Sequence, residues 1–138
     1  MTASALVTKT GLNLFRLYAG PDGETHLEDV GYSMATTKHG LIAQDIAVSE
    51  IGLESSTERP SREGGFTVSP CRQLVIPLAG RAEVEASDGT KRVLEVGTIL
   101  LAEDTTGAGH RIRELEHPRL TLFAPLLDKK RAPSGLLW

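Results

Sequence analysis

Residues 100–110 read LLAEDTTGAGH: an apolar run stops on two adjacent carboxylates, crosses two threonines and two glycines, and ends on His110. A carboxylate and an imidazole joined by a tight turn are the parts of a proton-transfer site, because an imidazole with a pKa near ~6.5 both gives and takes a proton at neutral pH. His110, Asp104 and Glu103 are therefore the candidate acid–base residues. Successive side chains of an extended chain point to opposite faces, so only one of Glu103 and Asp104 shares a face with His110. Asp104 has another use open to it, accepting the amides of Thr105 and Thr106 as aspartates that open turns do, and its residue type favours that use. His110 begins the run HRIREL. If it shares the face of Ile112 its ring points inward; the alternative is a half-buried histidine that ties the turn to a neighbouring strand.

Further residues have the chemistry to orient a ligand. Gln73 sits in the otherwise apolar RQLVIPL, where an inward amide needs a hydrogen-bond partner or costs free energy. In the opposite register Leu74, Ile76 and Leu78 face in and Gln73 lies outside. Thr67 and Tyr32 offer hydroxyls. Arg72 and Arg111, like Arg113 and Arg119, either hold a carboxylate or enolate at the mouth of a pocket or line solvated strand faces. Cys71, the only cysteine, has no CxxC partner or neighbouring histidine, so it reads as a small buried residue rather than a nucleophile. No Gly-x-Ser-x-Gly elbow, phosphate-binding loop or dinucleotide fingerprint occurs, which removes the common hydrolase and nucleotide readings.

The elements that must position these residues are short strands. Turn signals recur as GPDGE at 20–24, KHG at 38–40, REGG at 62–65, SDGT at 87–90, EVG at 95–97 and TTGAG at 105–109. With 14 glycines and 7 prolines and few helical patterns between them, the chain reads as an all-β sandwich or barrel with few or no helices. RQLVIPLAGRAEVEASDGTKRVLEVGTILLAED reads as four strands divided by an Ala-Gly corner, an Asp-Gly hairpin and a Val-Gly turn. In RAEVEA, Ala82, Val84 and Ala86 alternate with charged residues, the period of a strand with one wet face. TILLA is apolar on both faces and needs cover on both. LNLFRLYAG reads as a first strand, HLEDVGYSM as a second, and LIAQDIAVSEIGLE as one longer strand in preference to a helix. Residues 54–65 read as a loop over the barrel. A length of 138 residues suits one domain, with a barrel core over about 11–125 and a tail, 126–138, that packs on the barrel or on a partner subunit.

From Gln73 to His110 the chain resembles the cupin superfamily. A cupin's first motif ends in a metal-ligating glutamate, six residues and a glycine; here Gln73, LVIPLA and Gly80 stand in that order. The second motif opens on a glycine and closes on Gly-x-x-His, as Gly97 and Gly107-Ala108-Gly109-His110 do. The string EDTTGAGH is similar to one that recurs in a subgroup of small bacterial cupins. The resemblance implies a cupin-type double-stranded β-helix, an antiparallel jelly-roll barrel, with His110 and Gln73 directed at its cavity. It also marks departures: GGFTVSPCRQ lacks the usual upstream histidines, Gln73 replaces the glutamate, and the second motif is longer than usual between its glycines.

One imidazole and a neutral amide fall short of the three or more ligands that a transition metal takes. No cofactor is therefore expected; a divalent metal, if present, would use His110 and Gln73 with an acid or with His26, His39 or His117 moved in. The reading that follows is a metal-independent enzyme, an isomerase, cyclase or lyase, acting on an apolar small molecule. A metal-dependent oxygenase or isomerase and a non-catalytic small-molecule binder are the alternatives. With a net charge of −3 and scattered basic residues, a nucleic-acid partner is not expected. No apolar run approaches the ~18 residues of a membrane-spanning helix and the first residues lack a signal peptide's pattern, so a cytoplasmic protein is expected. The apolar end GLLW suggests a homodimer.

Overall fold

The computed structural model describes residues 4–7, 13–30, 32–43, 46–56 and 65–127, with the backbone alone for 4–7, 32–37 and 40–43. Every regular element among them is a strand: β1 Ser4–Val7, β2 Asn13–Ala19, β3 Thr25–Asp29, β4 Tyr32–Thr37, β5 Gly40–Ala43, β6 Gly52–Ser56, β7 Gln73–Ala86, β8 Lys91–Leu94, β9 Thr98–Ala102 and β10 His110–Pro125. The fold is all-β, with no helix among the described residues. Strands β1, β4 and β5 form a small sheet in the order β1-β4-β5. The others form one sheet in the order β3-β2-β9-β7-β10-β6, with β8 added to the end of β7.

Three features of this topology differ from the sequence expectation. The large sheet is mixed, because β2 runs parallel to β9, Phe15 opposite Leu100 and Leu17 opposite Ala102. HLEDVGYSM does not form one strand either: it divides at Val30 between β3 and β4, which lie in different sheets. LIAQDIAVSEIGLE contributes the end of β5, an isolated bridge from Val48 to Leu126 and the start of β6.

The expected Ala-Gly break is a bend within one strand. β7 passes through Gly80 and continues to Ala86, its first residues paired with β9 and its last with β8. Gly80 has φ 75°, and a Cβ there would lie 2.7 Å from the carbonyl oxygens of Glu116 and Pro118. Only glycine tolerates both that backbone and that approach. The Asp-Gly hairpin forms as expected: Ala86 N–H donates to the Thr90 carbonyl at 2.9 Å, and Asp88 Oδ1 accepts the Thr90 amide at 2.9 Å.

Both faces of the large sheet are apolar, which explains the two-faced TILLA. Leu100 and Ala102 of β9 join Phe15, Leu17, Val75, Val84, Ala86 and Leu94 in the main core, with Ile112 and Phe123 packed against it. Leu101 faces the other way with Leu74 and Ala124, against Ile76, Ile99 and Leu122. Phe15 and Leu17 are almost wholly enclosed; cutting such a side chain to alanine typically costs about 2–5 kcal/mol. The chain also secures the start of its last segment on itself, since Leu127 N–H donates to the Ala47 carbonyl at 3.1 Å. The remainder of the expected tail, 128–138, lies outside the described residues, as does most of the expected loop 54–65.

Candidate functional site

The strand ladders decide which candidate side chains share a face. His110 pairs with Ala86 and Ile112 with Val84, and Val84 and Ala86 belong to the main core. Cross-strand partners point the same way, so His110 stands on the core face. Gln73 pairs with Ala102, also of that core, and therefore stands on the same face as His110. Thr67 faces His110 across an isolated antiparallel bridge, exchanging backbone hydrogen bonds of 2.8 and 2.9 Å. Thus His110, Thr67 and Gln73 point to one side of their backbone pairs.

Asp104 is the centre of the site. Its side chain is 0% exposed, yet it accepts neither the Thr105 nor the Thr106 amide; Thr105 N–H donates instead to the Glu103 carbonyl at 2.9 Å. The carboxylate takes the Ser69 hydroxyl on Oδ1 at 2.7 Å and meets His110 Nδ1 through Oδ2 at 2.5 Å. Ser69 N–H donates to the Asp104 carbonyl at 3.0 Å, which fixes the two chains together. A buried carboxylate that accepts from Nδ1 sets the imidazole's tautomer and orientation and leaves Nε2 as the free acceptor. No partner of His110 Nε2 is found among the described residues, and the side chain is 14% exposed.

Glu103 goes the other way, as neighbours on an extended chain must. Its carboxylate lies 3.0 Å from Arg16 Nε and takes two hydrogen bonds from Arg72, at 3.0 and 2.8 Å. Arg16 also reaches Glu28 at 3.0 Å. These charges, with Leu101, occupy the face opposite His110. Arg111 is likewise turned away: its Nε donates to Glu85 at 2.7 Å, which holds that carboxyl below its ordinary range, and its guanidinium lies 4.9 Å from the Phe66 ring centre. The structure thus joins His110 to Asp104 and, through the backbone, to Thr67, leaves Gln73 on the same face beside Ala102, and directs Glu103, Arg72 and Arg111 elsewhere. Tyr32 lies on β4 of the small sheet, and its side chain lies outside the described residues. Ser69 is the residue that sequence reasoning missed.

Two glycine-bearing turns, at 20–24 and then at 87–90, buttress the segment that delivers His110. The Gly23 carbonyl accepts Ala108 N–H at 2.9 Å, and Thr25 Oγ1 donates to the Gly109 carbonyl at 2.6 Å while accepting Ser87 N–H at 2.7 Å. Across the first and second turns His26 bridges two carboxylates, with Nδ1 2.9 Å from Asp88 and Nε2 3.3 Å from Asp22. The bond to Asp22, with weaker help from Asp88, raises the His26 pKa above its ordinary 6.5 against the opposing effect of burial. The same bond lowers Asp22 below 3.8; burial pushes Asp88 up, but bonds from Thr90 and His26 outweigh it and leave it lowered.

His26, raised on folding, contributes fully below 6.5 and loses its contribution as pH rises through its folded value; Asp22 and Asp88 contribute above 3.8 and lose theirs as pH falls through their lowered folded values. The bridge is complete between those limits. His26→Gln is therefore expected to lower the melting temperature more at pH 5.5 than at pH 8.5, and equal losses at the two pH values would remove charge from the account.

A metal does not suit this donor set. Among the described residues no group of three or more His, Cys, Asp or Glu side chains is placed to hold a metal ion. Nδ1 of His110 is occupied by Asp104, and the Gln73 amide oxygen has the Cys71 thiol 4.0 Å away. One free imidazole nitrogen and one amide do not make an imidazole–carboxylate metal centre. No helix among the described residues is long and apolar enough to cross a membrane. No protein-family model matches the chain, and neither a curated protein nor a solved structure matches it.

Proposed function

We propose that the protein is a small cupin-type acid–base enzyme that isomerises, cyclises or eliminates across an apolar small molecule, with His110 moving the proton. One observation carries the reading: a wholly buried Asp104, anchored by Ser69, meets His110 Nδ1 and leaves Nε2 without a partner among the described residues. In the first step Nε2 takes a proton from an activated carbon or hydroxyl of the substrate, and Asp104 stabilises the imidazolium formed. In the second step the same proton is returned, to another carbon in an isomerisation or cyclisation, or to a departing hydroxyl in an elimination. No redox cofactor enters this balance. Thr67 and Gln73, on the same side of their backbone pairs, orient the substrate's oxygens.

The all-β fold, the bend at Gly80 and the positive φ of Gly97, 99°, suit the corners of a jelly-roll barrel; the parallel β2–β9 pair is a local addition to it. The exposed Ile51 and Leu53, on and beside the end strand β6, suit a homodimer. The test follows deuterium entering a panel of apolar enolisable ketones in D₂O by NMR. The wild type is expected to exchange at least one of them, and His110→Ala to lose about 10²–10⁴ of that rate. Equal exchange by the two proteins would end the assignment; saturable binding without exchange would make the protein a binder.

A further inference from the structure

β10 carries a second polar group on the face of His110. Glu114 pairs with Ala82, two places beyond the Ile112–Val84 pair and in the same alternation, so its side chain lies on the core face. Oε1 accepts the Ser56 hydroxyl at 2.6 Å, and Arg119 Nη1 stands 4.0 Å from it, beyond hydrogen-bond range. Oε2 is buried and has no hydrogen-bond partner among the described residues. Nearly all buried polar atoms are paired, and leaving one bare is costly, so an exception on the face of a candidate site points to a partner that arrives from outside.

We infer that Glu114, with Ser56 and Arg119, forms the polar end of the ligand-binding face and takes a neutral hydroxyl group on Oε2. This rests on the reading of the His110 face as the substrate-binding surface and narrows the substrate to an apolar molecule bearing an alcohol at the end remote from the reacting atoms. A neutral donor is selected because the Arg119 guanidinium already offsets the carboxylate and repels an incoming cation. A hydroxyl is selected because it is the smallest donor that bonds a carboxylate strongly, with O–H···O⁻ distances of about 2.5–2.7 Å. Arg119 has no hydrogen bond to Glu114, so it can swing aside without breaking one.

The experiment titrates the protein with cyclohexanol and with methoxycyclohexane, which differ in the donor, and follows backbone amide shifts by NMR. The expected result is saturable shifts at Ser56, Glu114 and Arg119 with cyclohexanol, at least fivefold weaker with the ether. Glu114→Met, of similar length but apolar, should erase that preference. Glu114→Gln, which keeps an accepting oxygen but loses the charge, serves as the second variant if the methionine chain does not fold, with the alcohol preference weakened. Equal affinity of the wild type for alcohol and ether, absence of binding to either, or survival of the preference in the variant would each overturn the assignment. His110→Ala should keep the alcohol preference. Failure of the Glu114 subsite is therefore distinguishable from failure of proton transfer at His110, which the deuterium-exchange assay reads alone.

Discussion

Asp104→Asn is expected to slow His110-dependent proton exchange by about 10²–10⁴ while leaving a folded protein. The carboxylate accepts from both the Ser69 hydroxyl and His110 Nδ1. An amide has one accepting oxygen, so it satisfies one of the two donors and presents an N–H to the other. If the N–H faces His110 the ring takes the other tautomer and Nε2 carries the proton, useless as a base; losses of about 10⁴ are known for that change in histidine–aspartate pairs. If the oxygen faces His110 the geometry survives but the negative charge that stabilises the imidazolium is gone. Either way the rate falls. Asp104→Ala is the harsher change: it strands two buried donors and leaves a void, at a cost of about 3–5 kcal/mol. Exchange rates with one common ketone, together with urea unfolding of each variant, separate the two effects. An asparagine variant with wild-type exchange would show that the Asp104–His110 contact is only structural.

The second large effect is expected at Gly109, which precedes the histidine. Its φ is 79°, and a Cβ there would lie 2.5 Å from both the carbonyl carbon and the oxygen of Thr67. Those atoms cannot retreat without breaking the Thr67–His110 bridge. Gly109→Ala therefore carries left-handed backbone strain of about 1–2 kcal/mol and a backbone clash on top of it, and a fall in melting temperature of about 10 °C or more follows. Gly89→Ala supplies the control. Gly89 has φ 96° with nothing within 4 Å of its would-be Cβ, so it bears the strain without the clash and should lose only about a third as much. Equal losses at the two glycines would mean that the close approach to Thr67 contributes nothing.

The residues differ in how far their roles could be read from the chain. β2, the Asp-Gly hairpin and the two-faced TILLA follow from patterns only a few residues long, since alternation and turn chemistry are local. The alternation of His110 with Ile112 was legible for the same reason, but which way that face points was left open by the sequence and is decided by the pairing of His110 with Ala86. The length of β10 was not: beyond HRIREL the polar run through Glu116 and His117 breaks the period, and the ladder there is bulged between Glu114 and Leu120. Ser69 gave no signal, because a serine beside a proline in a loop has no periodicity and its partner is 35 positions away. Asp104 was read with the wrong partners for a related reason: turn statistics know only the next two amides. Glu103 drew attention as a catalytic acid by composition, and only the placement of β2 beside β9 reveals Arg16 as its counter-ion.

That placement also governs the order in which the molecule can be made. β2 is synthesised well before β9, yet one of its edges is completed only by that strand, and the chain must close a long loop before Phe15 and Leu17 meet Leu100 and Ala102. Contacts so distant in sequence slow folding, toward the range of milliseconds to seconds. On the ribosome the β2–β3 hairpin waits with an open edge and an unburied apolar face until residue 102 has emerged, and this interval is when the nascent chain is most exposed to strand-to-strand association with its neighbours.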